Sequence, residues 1–400
     1  MVVKKMKQLI QLIFLIIILS LSWTLPAMAE SSQTSEEMQK QLVEQQADEL
    51  GIEELTAYWE SIMTEYGGFL PESQRGSLMD FVKGEKEFSI EAWVKGAIKF
   101  AFQELTVHAK LLGSLVLLTV FSMFLQSLQN AFEQGAVSKV AYAIVFIVLI
   151  ILALNSFQIA IQYAKDAVDQ MIHFVVALIP LLLALIATTG GVVSAAFFHP
   201  VMLFLMNISG LFVQYLVLPL LFLSTLLSIV SLLSEHHKVT QLADLLKKWS
   251  IGLLGAFMTI FLGVVSVQGA ATAVADGVAI RTAKFVTGNF VPVIGRMFTD
   301  AADTVLGASV LLKNTVGVAG VAIILLITAF PAIKILIIAF IYKLAAAILQ
   351  PLGGGPVISC LGIISKNVVY VFAALAIVSI MFFLTITVIV TAGNITMMMR

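Results

Sequence analysis

Apolar residues along this chain come in long blocks rather than in alternation, and the block lengths predict helices that cross a membrane. Leu, Ile, Val, Ala and Phe dominate Leu111 to Leu128, Val140 to Ile159, Ile172 to Ala187, Val192 to Leu233, Ile251 to Val267, Val316 to Leu349 and Val368 to Val390. A bilayer core of about 30 Å takes about 20 residues of helix, and its backbone polar groups must pair within the segment. The two longest blocks, Val192 to Leu233 and Val316 to Leu349, exceed one perpendicular crossing. Each has room for two, with Asn207-Ile208-Ser209-Gly210 read as the turn of a hairpin in the first. The length argument gives about six to nine spans.

Ahead of these blocks stands a shorter apolar run of a different kind. Lys4, Lys5 and Lys7 precede Leu9 to Leu21, Pro26 ends any helix there, and Ala27-Met28-Ala29 has the small-x-small pattern of a signal-peptidase site. The pattern predicts cleavage after Ala29; an uncleaved anchor is the alternative. In either case the residues from Glu30 onward start outside the cytoplasm. The chain thus divides into a signal peptide (1–29), an acidic helical extracytoplasmic segment (30–108) and a polytopic transmembrane domain (109–400).

Within the exported segment the period changes to that of an amphipathic helix. Ile52, Leu55, Trp59, Ile62 and Tyr66 fall on one face, with Glu53, Glu54, Glu60 and Glu65 on the other, before Gly67-Gly68 and Pro71. A lone helix of this length is marginal in water, so the stripe needs a second local helix, a partner protein or the membrane surface to pack on. Lys40 is the one basic residue between Glu30 and Leu70. Anionic lipid repels a face so acidic, which makes Ile52, Leu55, Trp59 and Ile62 candidates for protein docking. Ser89 then reads as an N-cap with Glu91 in the first turn, opening a helix from Ile90 to His108 at the membrane approach.

Composition narrows the class. Of 400 residues 60% are hydrophobic and 12% charged, and the mean hydropathy is +1.02, values of a membrane protein rather than a soluble domain. A net charge of -1 gives no electrostatic case for nucleic acid, and the single Cys360 forms no internal disulfide. Lys139, and Lys238, Lys247 and Lys248 in the stretch Glu235 to Trp249, mark two cytoplasmic loops, so membrane lipid is met with the N-terminal segment outside.

The search for chemistry yields no catalytic, cofactor-binding or metal-ligating set. His236-His237 lacks the i, i+4 spacing of a zinc helix, Gly353-Gly354-Gly355-Pro356 lacks the Lys-Ser/Thr of a phosphate loop, and Arg296 lies one turn before Asp300 on an amphipathic stretch. Lys313, Lys334 and Lys343 fall in or near apolar blocks, where an ammonium must snorkel or meet a polar partner. Lys343, between "IIAFIY" and "LAAAIL", is the candidate intramembrane polar contact, with snorkelling as the alternative; Lys313 and Lys334 read as interfacial. Finally, Pro219 follows Pro180 at the same interval at which Pro331 follows Pro292, and Ser156-Phe157-Gln158 matches Ser266-Val267-Gln268. Either a degenerate duplication of about 138–233 in about 247–350, or chance recurrence of small residues and Pro in apolar sequence, accounts for this.

The signal, "ELTAYWESIMTEYGGFLPE", "FVPVIGRMFTDAADTVLGAS" and "GGGPVISCLGIISKNVVYVF", in that order along nearly the whole length, resemble the stage III sporulation protein AE family of endospore-forming bacteria. The resemblance implies a multi-pass protein of the mother-cell membrane around the forespore. It further implies work with the other stage III A proteins and, directly or indirectly, the forespore protein Q, in a channel or secretion complex that sustains the forespore and its late gene expression. A self-sufficient permease is the alternative, favoured by a duplicated core with Pro-broken helices.

Overall fold

The computed structural model describes residues 52–398 apart from 83–85, 87–88, 132–135, 234–238, 291–294 and 353–354. Ala27-Met28-Ala29, Lys238 and Pro292 lie outside them. Among the described residues the chain is all helical. Three short helices, α1 (Glu53–Tyr66), α2 (Leu78–Val82) and α3 (Ile90–Val107), precede the apolar bundle. The bundle consists of α4 (Ala109–Ala131), α5 (Ala136–Thr188), α6 (Val192–Phe212), a π-helical turn (Val213–Val217), α7 (Leu218–Val230), α8 (Thr240–Phe290), α9 (Gly295–Leu349) and α10 (Pro356–Met398). Six stretches are long and apolar enough to cross a membrane, with α6, the π turn and α7 counting as one, so this is a polytopic membrane protein.

Local signals set several of the ends. Ser89 caps α3 as its sequence predicts, its hydroxyl accepting from the Ala92 amide at 3.3 Å. Pro356 opens α10, where a missing N–H costs nothing. Between α5 and α6 the chain reverses in three residues, and Gly190 takes φ 95°, a left-handed conformation that a Cβ disfavours.

Two expected breaks ahead of α8 are absent. The run 160–171 does not separate two spans. Asp166 accepts from Gln162 at 2.6 Å and Asp169 from Gln214 at 2.6 Å, so both carboxylates are satisfied on a helix that continues to Thr188. Nor is Asn207 to Gly210 a turn. Asn207 donates to the Leu203 carbonyl at 2.8 Å and Ser209 to that of Leu205 at 2.6 Å, the one-turn-back bonds that make polar residues compatible with an apolar helix. Gly210 is small for a packing reason: a Cβ there would lie 2.2 Å from Ile172 Cδ1 of α5. The irregularity instead comes at the π turn, where the Val217 carbonyl accepts from Ser250 Oγ of α8 at 2.9 Å. Likewise, 316–349 belongs to one helix, α9, that carries Pro331 inside it. Pro219 opens α7, whereas Pro331 is interior to α9, so the matched proline spacing falls on different settings.

The two merged breaks leave the side of each loop unchanged. Removing one crossing from 140–187 and one from 192–233 removes a pair. Three crossings still separate the N-terminal helices from Lys247 and Lys248.

Helix length is the outstanding property of the bundle. The candidate span on α4 is 20 residues, about 30 Å, whereas Val140–Thr188 of α5 is 49 residues of continuous helix, about 74 Å, in which the polar run 160–171 lies between two apolar blocks. We call the half of the bundle level with α4 proximal and the remainder, ending at the α5–α6 turn, distal.

Candidate functional site

Two junctions hold the distal half together and fix the N-terminal helices to it. The first is built around Trp59. The stripe predicted on α1 is real, but it faces inward. Trp59 is 0% exposed and Ile52, Leu55 and Ile62 are buried, while Glu60 and Glu65 stay in solvent. Trp59 Nε1 donates to the Gly76 carbonyl at 2.8 Å, and its ring meets Phe81 edge-on at 5.1 Å and Trp93 at 6.2 Å. Buried Gln74 ties the set: its Oε1 accepts from Trp93 Nε1 at 2.6 Å and from the Ser89 amide at 3.0 Å. The docking surface expected at Ile52, Leu55, Trp59 and Ile62 is therefore corrected to an internal core. The second local helix that the stripe required is supplied by α2 and α3.

This small core is seated on the bundle through aromatics. Tyr58 meets Phe174 of α5 edge-on at 5.3 Å, and Tyr66 stacks on Phe330 of α9 at 3.9 Å and 4°. Phe100 of α3 completes the stack, edge-on to Phe330 at 5.0 Å. Lys334, one turn on from Phe330, has its ammonium 5.3 Å from the Tyr163 ring, 5.8 Å from Tyr66 and 6.0 Å from Phe100. Three ring faces thus surround a cation that the sequence places at an interface. Glu104 lies buried beside them, 3.0 Å from His108. Burial, with a hydrogen bond and charge from Glu65 and further charge from Glu104, holds the Tyr66 phenol well above its ordinary range, so it stays neutral.

The second junction is at the distal tip. Asp276 of α8, fully buried, accepts from the Val193 amide at 2.9 Å and from the Ser194 amide at 3.2 Å. These are first-turn donors of α6, which has no side-chain cap of its own, so a carboxylate from another helix caps it and meets the positive end of its dipole. Gly191 keeps the approach open: a Cβ there would lie 2.5 Å from Ile186 Cγ2 and 3.3 Å from Asp276 Oδ2.

Lys343, the expected intramembrane contact, is exposed and lies six residues before the end of α9, about 9 Å along the axis, within snorkelling reach. Among the described residues the buried lysine is Lys313, 0% exposed, which the sequence places at an interface. Hydroxyls also make polar contacts between helices: Tyr342 donates to Ser156 at 2.8 Å, Thr328 pairs with Ser379 at 3.0 Å, and Ser365 donates to the Ala339 carbonyl at 2.8 Å. Among the described residues, no three His, Cys, Asp or Glu side chains gather as a metal site. A concavity of about 810 Å³ lies on an apolar face of α4 lined by Leu112, Val116, Val120 and Phe124.

Six helices long and apolar enough to cross a membrane, with a folded N-terminal cap seated on them through aromatic contacts, define a polytopic helical membrane protein. The chain belongs to the stage III sporulation protein AE family: the family model described as Stage III sporulation protein AE matches residues 73–393. It is 64% identical over 372 residues to the Stage III sporulation protein AE of Bacillus subtilis (strain 168), covering 93% of each chain. No solved structure matches it.

Proposed function

We propose that this chain is a membrane subunit of a multiprotein channel or secretion complex that links mother cell and forespore during sporulation and sustains the forespore and its late gene expression. It sits in the mother-cell membrane, with the Lys247 and Lys248 side cytoplasmic and the N-terminal cap in the space between the two membranes. Its partners in this reading are the other stage III A proteins and, directly or through them, the forespore protein Q.

The observation that carries the reading is height. Lipid covers about 30 Å of a helix and Val140–Thr188 of α5 is about 74 Å of continuous helix, with Lys165, Asp166 and Asp169 in its middle, so about 40 Å stands outside the bilayer. The proximal half is the one in lipid, because α4 is there with Leu117, Val120, Phe121 and Phe124 outward. The distal half has charged neighbours: Glu60, Glu65 and Arg75 are exposed on the cap that rests against Phe174 and Phe330. A subunit that reaches from one membrane into an intermembrane space suits an assembly more than a permease, whose working parts lie within the bilayer.

Tagged protein recovered from sporulating cells with mild detergent is expected to bring the other stage III A proteins with it. Recovery alone, together with solute transport by the purified protein in vesicles, would favour the permease instead.

A further inference from the structure

We propose that the distal half is covered by copies of this same chain: the ridge of Phe197, Phe204 and Leu211 on α6 of one copy seats in the groove between α8 and α10 of the next. Both surfaces lie where lipid does not reach and where the N-terminal cap, seated on α5 and α9, does not extend. The inference goes beyond the reading above and rests on one part of it, that lipid covers the proximal half and leaves the distal half bare.

The ridge is made by spacing. Phe197, Phe204 and Leu211 recur every seven residues, which keeps them in one line along α6, and they are 60%, 62% and 58% exposed. In water such a line of large apolar side chains marks an interface. The groove is made by small residues. Gly269 brings α8 against α10, since a Cβ there would lie 2.7 Å from Val388 Cγ1. Beside this contact, Ser266, Ala270, Thr387 and Thr391 line a depression of about 320 Å³. The α8 face continues toward the membrane through Gly263 and Gly255, where a Cβ would meet nothing within 4 Å. Such small-residue faces let a neighbouring helix approach closely.

Height decides the match. Asp276 fastens α8 to Val193, and Ser250 fastens it to Val217, so α8 runs antiparallel beside α6 between these two points. Residue 268 of α8 is then level with about residue 201 of α6, midway between Phe197 and Phe204, from equal rise along paired helices. In copies that share one membrane the ridge of one is at the height of the groove of its neighbour. Neither surface carries Asp, Glu, Lys or Arg, so no charge is buried when they meet. The two surfaces differ, ridge against groove, so the contact is head to tail, and it repeats from copy to copy within the membrane plane.

The test uses full-length protein with Cys360→Ala in native membranes. Phe204→Cys with Ala270→Cys in one chain, treated with a short bifunctional thiol reagent, is expected to give a ladder of multimers. Either single variant alone is expected to give none, and a mixture of the two single variants to give dimers. Ala270→Trp fills the groove at an exposed position and is expected to return the detergent-extracted protein from multimer to monomer mass, while wild type stays multimeric. The proposal is overturned by absence of interchain products with monomeric wild-type protein. It is equally overturned by crosslinks of Phe204→Cys to itself, which would mean a two-fold contact, or by crosslinks only to other proteins.

Discussion

Trp59→Ala is expected to detach the N-terminal cap from the bundle, at a cost of about 3–5 kcal/mol for truncating a buried Trp. The ring is 0% exposed, its N–H is bonded to the Gly76 carbonyl, and both Phe81 and Trp93 lose their neighbour with it. So small a core has little other apolar burial to hold it. Limited proteolysis of membranes should then cleave between Glu53 and Val107 in the variant under conditions that leave wild type intact. Trp59→Phe, which keeps an aromatic ring of smaller size and loses the hydrogen bond, should lie between. Equal protease resistance of Trp59→Ala and wild type would refute the internal-core reading. Lost partners with an intact cap would return the stripe to a docking role.

The second large effect is expected at the distal tip. Asp276→Ala removes the acceptor for two amides of the first turn of α6, that of Ser194 buried and that of Val193 partly so, and a buried amide left unpaired costs about 1–3 kcal/mol. Asp276→Asn keeps an oxygen in place and should lose less. Thermal unfolding in detergent is expected to rank wild type above Asn and Asn above Ala, and three equal melting temperatures would contradict the cap.

The period of the sequence carried much of this fold and little of the junctions. The α1 stripe, the Ser89 cap and the apolar blocks follow from spacing and residue type, which act over a few positions. Asp276 was not legible as a cap, because its partners Val193 and Ser194 are 83 and 82 positions away and nothing local marks the pairing. Asn207 to Gly210 looked like a turn because polar and small residues usually interrupt apolar helices. Here each is satisfied by the helix itself or used for close packing. The division of 140–187 into two spans assumed that an apolar helix ends where the bilayer does. Gln162 and Gln214 show how the acids between the two halves are accommodated instead, without a break. Lysines were the least legible, since burial depends on what faces the side chain: Lys343 is outward, Lys313 is inward, and Lys334 meets rings from α1, α3 and α5.

The height of the bundle relative to lipid is what the account of this subunit depends on, and electron microscopy of the purified protein in lipid nanodiscs measures it directly. Helical density rising about 40 Å beyond the headgroups on the side of the N-terminal cap, with α4 wholly inside the disc, is the predicted result. Helices tilted or bent so that both halves lie within the disc, with only the cap projecting, would contradict it.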